Sequence, residues 1–109
     1  MNFSITNKTF LYIISSPSRF YVNDMDFMYR FTDNCSVGFV LPRVLGAANK
    51  RNIFKRRCRA IMINLNNKLS LPSFGLIVRP KHLNFNYTDL FAAFESLSND
   101  VLLNQLTDK

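Results

Sequence analysis

The sequence predicts an α+β fold in which helices pack on a small, mostly antiparallel sheet, in the order α-β-β-β-α-β-α. Three observations predict it. Residues Asp26 to Thr32 alternate, with Phe27, Tyr29 and Phe31 on one face and Met28 and Arg30 on the other, as a strand with one buried face requires. From Lys50 to Leu65 the apolar residues Phe54, Cys58, Ile61, Met62 and Leu65 fall within an arc of about 100° on a helical wheel. Phe74 to Arg79 is a short apolar, β-branched run stopped by Pro80, as a buried strand would be.

The remaining elements follow in chain order. Asn7 to Ser16 carries Phe10, Ile13 and Ile14 at helical spacing, with Pro17 to end it. Asp33-Asn34 has turn chemistry, and Ser36 to Leu41, rich in Val and Phe and closed by Pro42, reads as the next strand. An antiparallel hairpin between this strand and 26–32, through loop residues Thr32 to Cys35, is expected. Gly46-Ala47-Ala48-Asn49 leads into the 50–65 helix, which Asn66-Asn67-Lys68 should end. Leu71-Pro72-Ser73 is a linker. Thr88 is the expected N-cap of a last helix that buries Leu90, Phe91, Phe94 and Leu97 and runs toward Leu102.

A chain of 109 residues, 48% hydrophobic and with eleven Phe, suffices for one packed core, so residues 1–109 are expected to form a single domain. No apolar run approaches the roughly 20 residues of a membrane span, and neither a membrane partner nor a secretory signal is expected. Cys35 and Cys58 lie far apart, too few for a disulfide scaffold or a thiolate zinc site, which favours a reducing, cytoplasmic setting. The sequons at Asn2, Asn7, Asn34 and Asn86 are then accidents of a chain with thirteen Asn.

The charge is unevenly distributed. The net charge is +7, yet no Asp or Glu occurs between Asn34 and Thr88, a stretch holding ten cations. The rest of the chain has four cations against seven acids. Uncompensated cations repel one another in the folded state, and a polyphosphate partner relieves that repulsion while releasing counterions. Within the predicted helix, Asn52, Lys55, Arg56 and Arg59 occupy the arc away from the apolar face, and Arg51, Lys55 and Arg59 recur on successive turns, about 6 Å of rise apart. Arg forks pair with two phosphate oxygens, and Asn hydrogen-bonds sugar or base. Catalytic constellations are absent by contrast. His82 stands alone beside Lys81, Asp24 and Asp26 suit capping and solvation better than metal binding, and no nucleotide-binding or nucleophile-elbow motif occurs.

Gly38-Phe39-Val40-Leu41-Pro42-Arg43-Val44-Leu45-Gly46, followed by Arg51-Asn52, Lys55-Arg56 and Arg59, resembles the bacterial ribonuclease P protein subunit. That family carries a Gly-x-x-Val-Ser-Lys-Lys-x-Gly strand end and then a helix with Arg-Asn-Arg-x-Lys-Arg-x-x-Arg. Val78-Arg79-Pro80 is similar to the family's Ala-Arg-Pro, and the likeness is strongest over residues 26–97. Ile53 stands in place of the second Arg, Ala60 in place of an acid, and Pro42 and Val44 in place of Ser and Lys, which implies an altered RNA grip. The resemblance implies a left-handed βαβ crossover and a protein subunit of an endoribonuclease whose RNA partner performs the hydrolysis. It implies contacts to ribonuclease P RNA through Arg43, Arg51, Asn52, Lys55, Arg56 and Arg59. It also implies a groove for the precursor-tRNA 5′ leader beside Phe10 and Ile14, with magnesium held mainly by the RNA and none bound by the protein alone. Stacking of leader bases on Phe20, Tyr21 or Tyr29 is a lesser expectation, core packing being favoured for Tyr29. The alternative is a general RNA-binding or ribosome-associated basic domain with no part in tRNA maturation. A protein-interaction domain with an incidental basic face is a third reading, separated from both by binding that barely responds to salt.

Overall fold

The alternating segment is strand β2 (Met25–Phe31), and the chain reaches it through helix α1 (Asn7–Ser15) and strand β1 (Ser18–Val22). Strand β3 (Ser36–Phe39), a short 3-10 turn (Arg43–Leu45), helix α2 (Ala48–Leu69), strand β4 (Phe74–Pro80) and helix α3 (Tyr87–Thr107) follow. The computed structural model describes residues 4–107; Asn2 and Lys109 lie outside them.

The four strands form one sheet in the order β1-β2-β4-β3. β1 with β2 and β2 with β4 are antiparallel, whereas β3 runs parallel to β4 and reaches it through α2 as a βαβ crossover. This corrects the expected hairpin, because β2 and β3 do not pair. β4, buried at every position but Arg79, takes the centre between them. The Asp33-Asn34 turn reverses the chain without fixing a partner, and burial of the most apolar strand decides the order. The hairpin that does form joins β1 to β2 through Asn23 and Asp24, both at positive φ (50° and 61°), a conformation Asn and Asp tolerate better than most residues.

The sheet is covered on both faces, so the single buried face expected for β2 is also corrected. Phe27, Tyr29, Leu76 and Val78 pack under α2 and α3 with Phe54, Cys58, Ile61, Leu65, Leu90, Phe94 and Leu97. Phe27 meets Phe94 edge to face at 5.1 Å between centroids. On the other face Met28 and Ile77 pack with Ile13 of α1, and Ile5, Phe10 and Val40 lie against them. That contact needs room at the backbone: a Cβ on Gly38 would lie 2.6 Å from Ile5 Cγ2, and one on Gly75 would lie 2.7 Å from Ile13 Cδ1. The result is three layers, α1, sheet, and α2 with α3.

Caps and lengths differ in detail from expectation. Thr6 Oγ1 accepts the Thr9 N–H at 3.1 Å and starts α1. α2 does not stop at Asn66-Asn67-Lys68 but runs to Leu69, where Ser70 closes it in the left-handed region. Asn86, not Thr88, caps α3: its Oδ1 accepts the Asp89 N–H at 2.7 Å, and the helix continues five residues past Leu102 to Thr107.

Candidate nucleic-acid interface

The amphipathic pattern of α2 is realised as predicted, with its apolar stripe buried and its cations on the remaining surface. Arg51 is half-buried, and its Nη1 donates to the Gly46 carbonyl at 3.1 Å. That bond ties the first turns of α2 to the 3-10 turn carrying exposed Arg43, so the structure brings Arg43 and Arg51 to one end of the helix. Lys55 and Arg59 are half-buried along the same flank, toward edge strand β3, where the Arg59 guanidinium lies 5.4 Å from the centre of the Phe39 ring. Asn52 and Arg56 are exposed on the outer surface.

Asp24 and Asp26 face partners away from α2. Among the described residues Arg79 forms an ion pair with Asp26 at 2.6 Å, across the β2–β4 ladder, and His82 Nε2 faces Asp24 Oδ2 at 3.5 Å. Neither engages α2. A helix whose cations no described carboxylate neutralises presents a positive field available to an external anion.

His82 has a local structural role. Its Nδ1 accepts the Asn84 N–H at 3.1 Å and its ring stacks on Phe85 at 4.3 Å. Asp24, besides facing His82, accepts a hydrogen bond from the Tyr21 hydroxyl at 3.2 Å. Among the described residues no group of three or more His, Cys, Asp or Glu is arranged to hold a metal ion, and no helix is long and apolar enough to cross a membrane. Both cysteines are free thiols; Cys58 is buried, and burial pushes its thiol well up from the usual range.

Phe10 and Ile14 lie on α1, in the layer opposite α2, so the structure does not bring them together with the basic helix; the sheet lies between the two sets. Phe10 is half-buried against the Ile13–Met28–Ile77 cluster, and Ile14 is 41% exposed. Clefts run along α1 on both sides of Tyr12. One of about 600 Å³ is lined by Lys8, Thr9, Tyr12 and residues 31–36, and one of about 530 Å³ by Tyr12, Ser18, Arg30, Phe31 and Asn104. Of the aromatics considered for stacking, Tyr21 is 53% exposed, Phe20 packs against the core, and Tyr29 is fully buried.

Sequence reasoning missed Arg30 as a residue of this cleft. Its guanidinium lies 3.9 Å from the Tyr12 ring centre and donates to the Tyr12 carbonyl at 2.9 Å and Ser15 Oγ at 3.1 Å, completing the C-terminal end of α1. No local pattern reveals it, because the contact depends on how α1 folds back over β2. Lys50 and Arg57 were missed as well, although a helical wheel sets them together on the α3 side of α2.

Three layers around a mixed sheet, with a βαβ crossover helix whose cations pair with no described carboxylate, define a basic α+β protein suited to holding a polyanion. The family model described as Ribonuclease P matches residues 5–101. A curated ribonuclease P protein component of Mycoplasma mobile is 30% identical over 81 residues, which are 74% of this chain and 72% of that protein. The chain belongs to the ribonuclease P protein family. In fold it is similar to the solved RNase P protein of Staphylococcus aureus (TM-score 0.76, 17% identity, 92% of this chain and 95% of that one). It is likewise similar to that of Thermotoga maritima (TM-score 0.74, 21% identity, 90% and 96%). Membership makes it the protein component of an endoribonuclease holoenzyme, with RNA binding and tRNA processing as its work and ribonuclease P RNA as its partner.

Proposed function

We propose that the chain grips ribonuclease P RNA through Arg43, Arg51, Asn52, Lys55, Arg56 and Arg59, and holds the precursor-tRNA 5′ leader along the clefts beside α1. The observation that carries this reading is the absence, among the described residues, of any carboxylate paired with the cations of α2. Phosphate oxygens satisfy those cations, and the amide of exposed Asn52 is free to meet sugar or base. In the α1 layer, Tyr12 lines both clefts with a ring already backed by Arg30, and Phe10 and Ile14 sit beside them on the same helix without lining either. The RNA subunit performs the hydrolysis and holds the magnesium. The protein's contribution is substrate affinity: it neutralises phosphates of the RNA partner and holds the leader in a fixed path. Two free thiols, one deeply buried, suit a cytoplasmic setting.

Cleavage of precursor tRNA by ribonuclease P RNA at low magnesium tests the proposal. Added protein should stimulate it, and the protein carrying Arg51→Ala and Arg56→Ala should stimulate it less. The same variant should flatten the log–log salt dependence of RNA binding by about 1.4 to 1.8, from two lost phosphate contacts. An unchanged slope would remove Arg51 and Arg56 from the interface.

A further inference from the structure

We propose that the groove between α2 and the start of α3 is a second RNA contact, which seats one unpaired nucleotide of the RNA partner between Lys50 and Arg57. The inference rests on the reading of α2 as an RNA-binding helix and extends it to the opposite flank. The groove, about 200 Å³, is lined by Lys50, Ile53 and Arg57 from one side and Leu83, Phe85 and Leu90 from the other.

Residues 50, 53 and 57 are spaced i, i+3, i+7 and so share one helix face on successive turns. Ile53 is 38% exposed, an apolar side chain left in solvent between two exposed cations. Neither Lys50 nor Arg57 has a carboxylate or a side-chain hydrogen-bond partner among the described residues. Seven residues of helix separate them by about 10 Å, which two long, mobile side chains readily narrow. An apolar floor flanked by two cations matches a nucleotide: the base or the carbon side of the ribose on Ile53 and half-buried Leu83, and the flanking phosphates on Lys50 and Arg57.

The size of the groove decides against a protein helix as occupant, which would need a trough long enough for anchors over two turns. Position on the helix points the same way. Arg51, Lys55, Arg59, Asn52 and Arg56 span one part of the exposed surface of α2, and Lys50 and Arg57 continue the arc past Ile53. A strand gripped on the β3 flank can therefore cross the outer surface and place a nucleotide on the α3 flank. Arg57 also lies one turn beyond Ile53, the position where the family pattern has its second Arg.

Equilibrium binding of the full chain to ribonuclease P RNA, measured over a range of monovalent salt, tests the inference. Lys50→Gln with Arg57→Gln should lower the log–log slope by about 1.4 to 1.8 and weaken binding about tenfold or more at low salt. Ile53→Lys adds a cation between the two and should raise the slope by about 0.7 to 0.9. Hydroxyl-radical footprinting should show the double variant losing protection at one single-stranded site and keeping the rest. If the Lys50/Arg57 variant binds with the wild-type slope while Arg51→Ala with Arg56→Ala lowers it, the groove is not an RNA contact and the proposed function stands. If only the Arg51/Arg56 slope is unchanged, Arg51 and Arg56 are excluded from the interface and the groove is retained.

Discussion

At the scale of single residues, Tyr29 shows how one polar atom in the core is accommodated. The side chain is fully buried, and its hydroxyl donates to Asp100 Oδ2 at 2.7 Å while accepting from the Asn104 amide. Burial first, and the neighbouring Asp100 carboxylate second, hold the phenol well above its ordinary pKa. The pair joins the centre of the sheet to the last turns of α3. Tyr29→Phe keeps the ring contacts with Phe31 and Phe74 but takes the donor from Asp100 and the acceptor from Asn104. The expected cost is about 1–3 kcal/mol, read as a lower urea midpoint at unchanged m. A loss of only a few tenths would mean that water replaces the hydroxyl.

At the scale of elements, local signals and long-range ones separate cleanly. Asn86 is a local signal: its side chain satisfies the Asp89 N–H, and Asn86→Ala should destabilise the chain by about 1 kcal/mol, with Thr88→Ala nearly silent. Amide exchange at the start of α3 would accelerate in the first variant only. Thr88 was the more obvious choice in the sequence, since it stands beside the acid of the first turn, but both residues have capping side chains and only the backbone path selects between them. Periodicity made α2 legible because Phe54, Cys58, Ile61, Met62 and Leu65 face one core and the cations of the helix avoid it. α1 was legible from three apolar residues and a proline. The partner of β3 was not: Ser36–Phe39 carries no information about which strand lies beside it, and a tight turn after β2 suggests pairing with β2. The apolar run of β4, read correctly as a strand, takes the place beside β3, where all its residues but Arg79 are buried between β2 and β3. The basic face was visible as an acid-free stretch, whereas the Arg30–Tyr12 contact and the groove at Ile53 needed three dimensions, each being assembled from segments far apart in the chain.

At the scale of the whole molecule, the two most buried titratable groups set how stability responds to base. Cys58 lies at the centre of the α2 interface and Tyr29 beneath α3, both fully buried, and burial raises both above their ordinary values. The unfolded chain releases these protons from about pH 8.5 for the thiol and about pH 10 for the phenol, whereas the folded chain keeps them to higher pH. Over that window the folded state binds more protons than the unfolded one, so stability falls as pH rises. Lys81, raised through its contact with the Tyr21 hydroxyl, acts in the same direction, but its exposure leaves it a small part of the effect. Urea denaturation at steps between pH 7 and 11 should show a plateau to about pH 8.5, a gentle decline, and a steeper one above about pH 10. Tyr29→Phe should remove the steeper part and keep the first, which separates the phenol from any general loss of cationic charge. A wild-type profile that stays level through pH 11 would mean that both groups ionise in the folded state as easily as in water, and that the core does not exclude solvent at the α2 and α3 contacts.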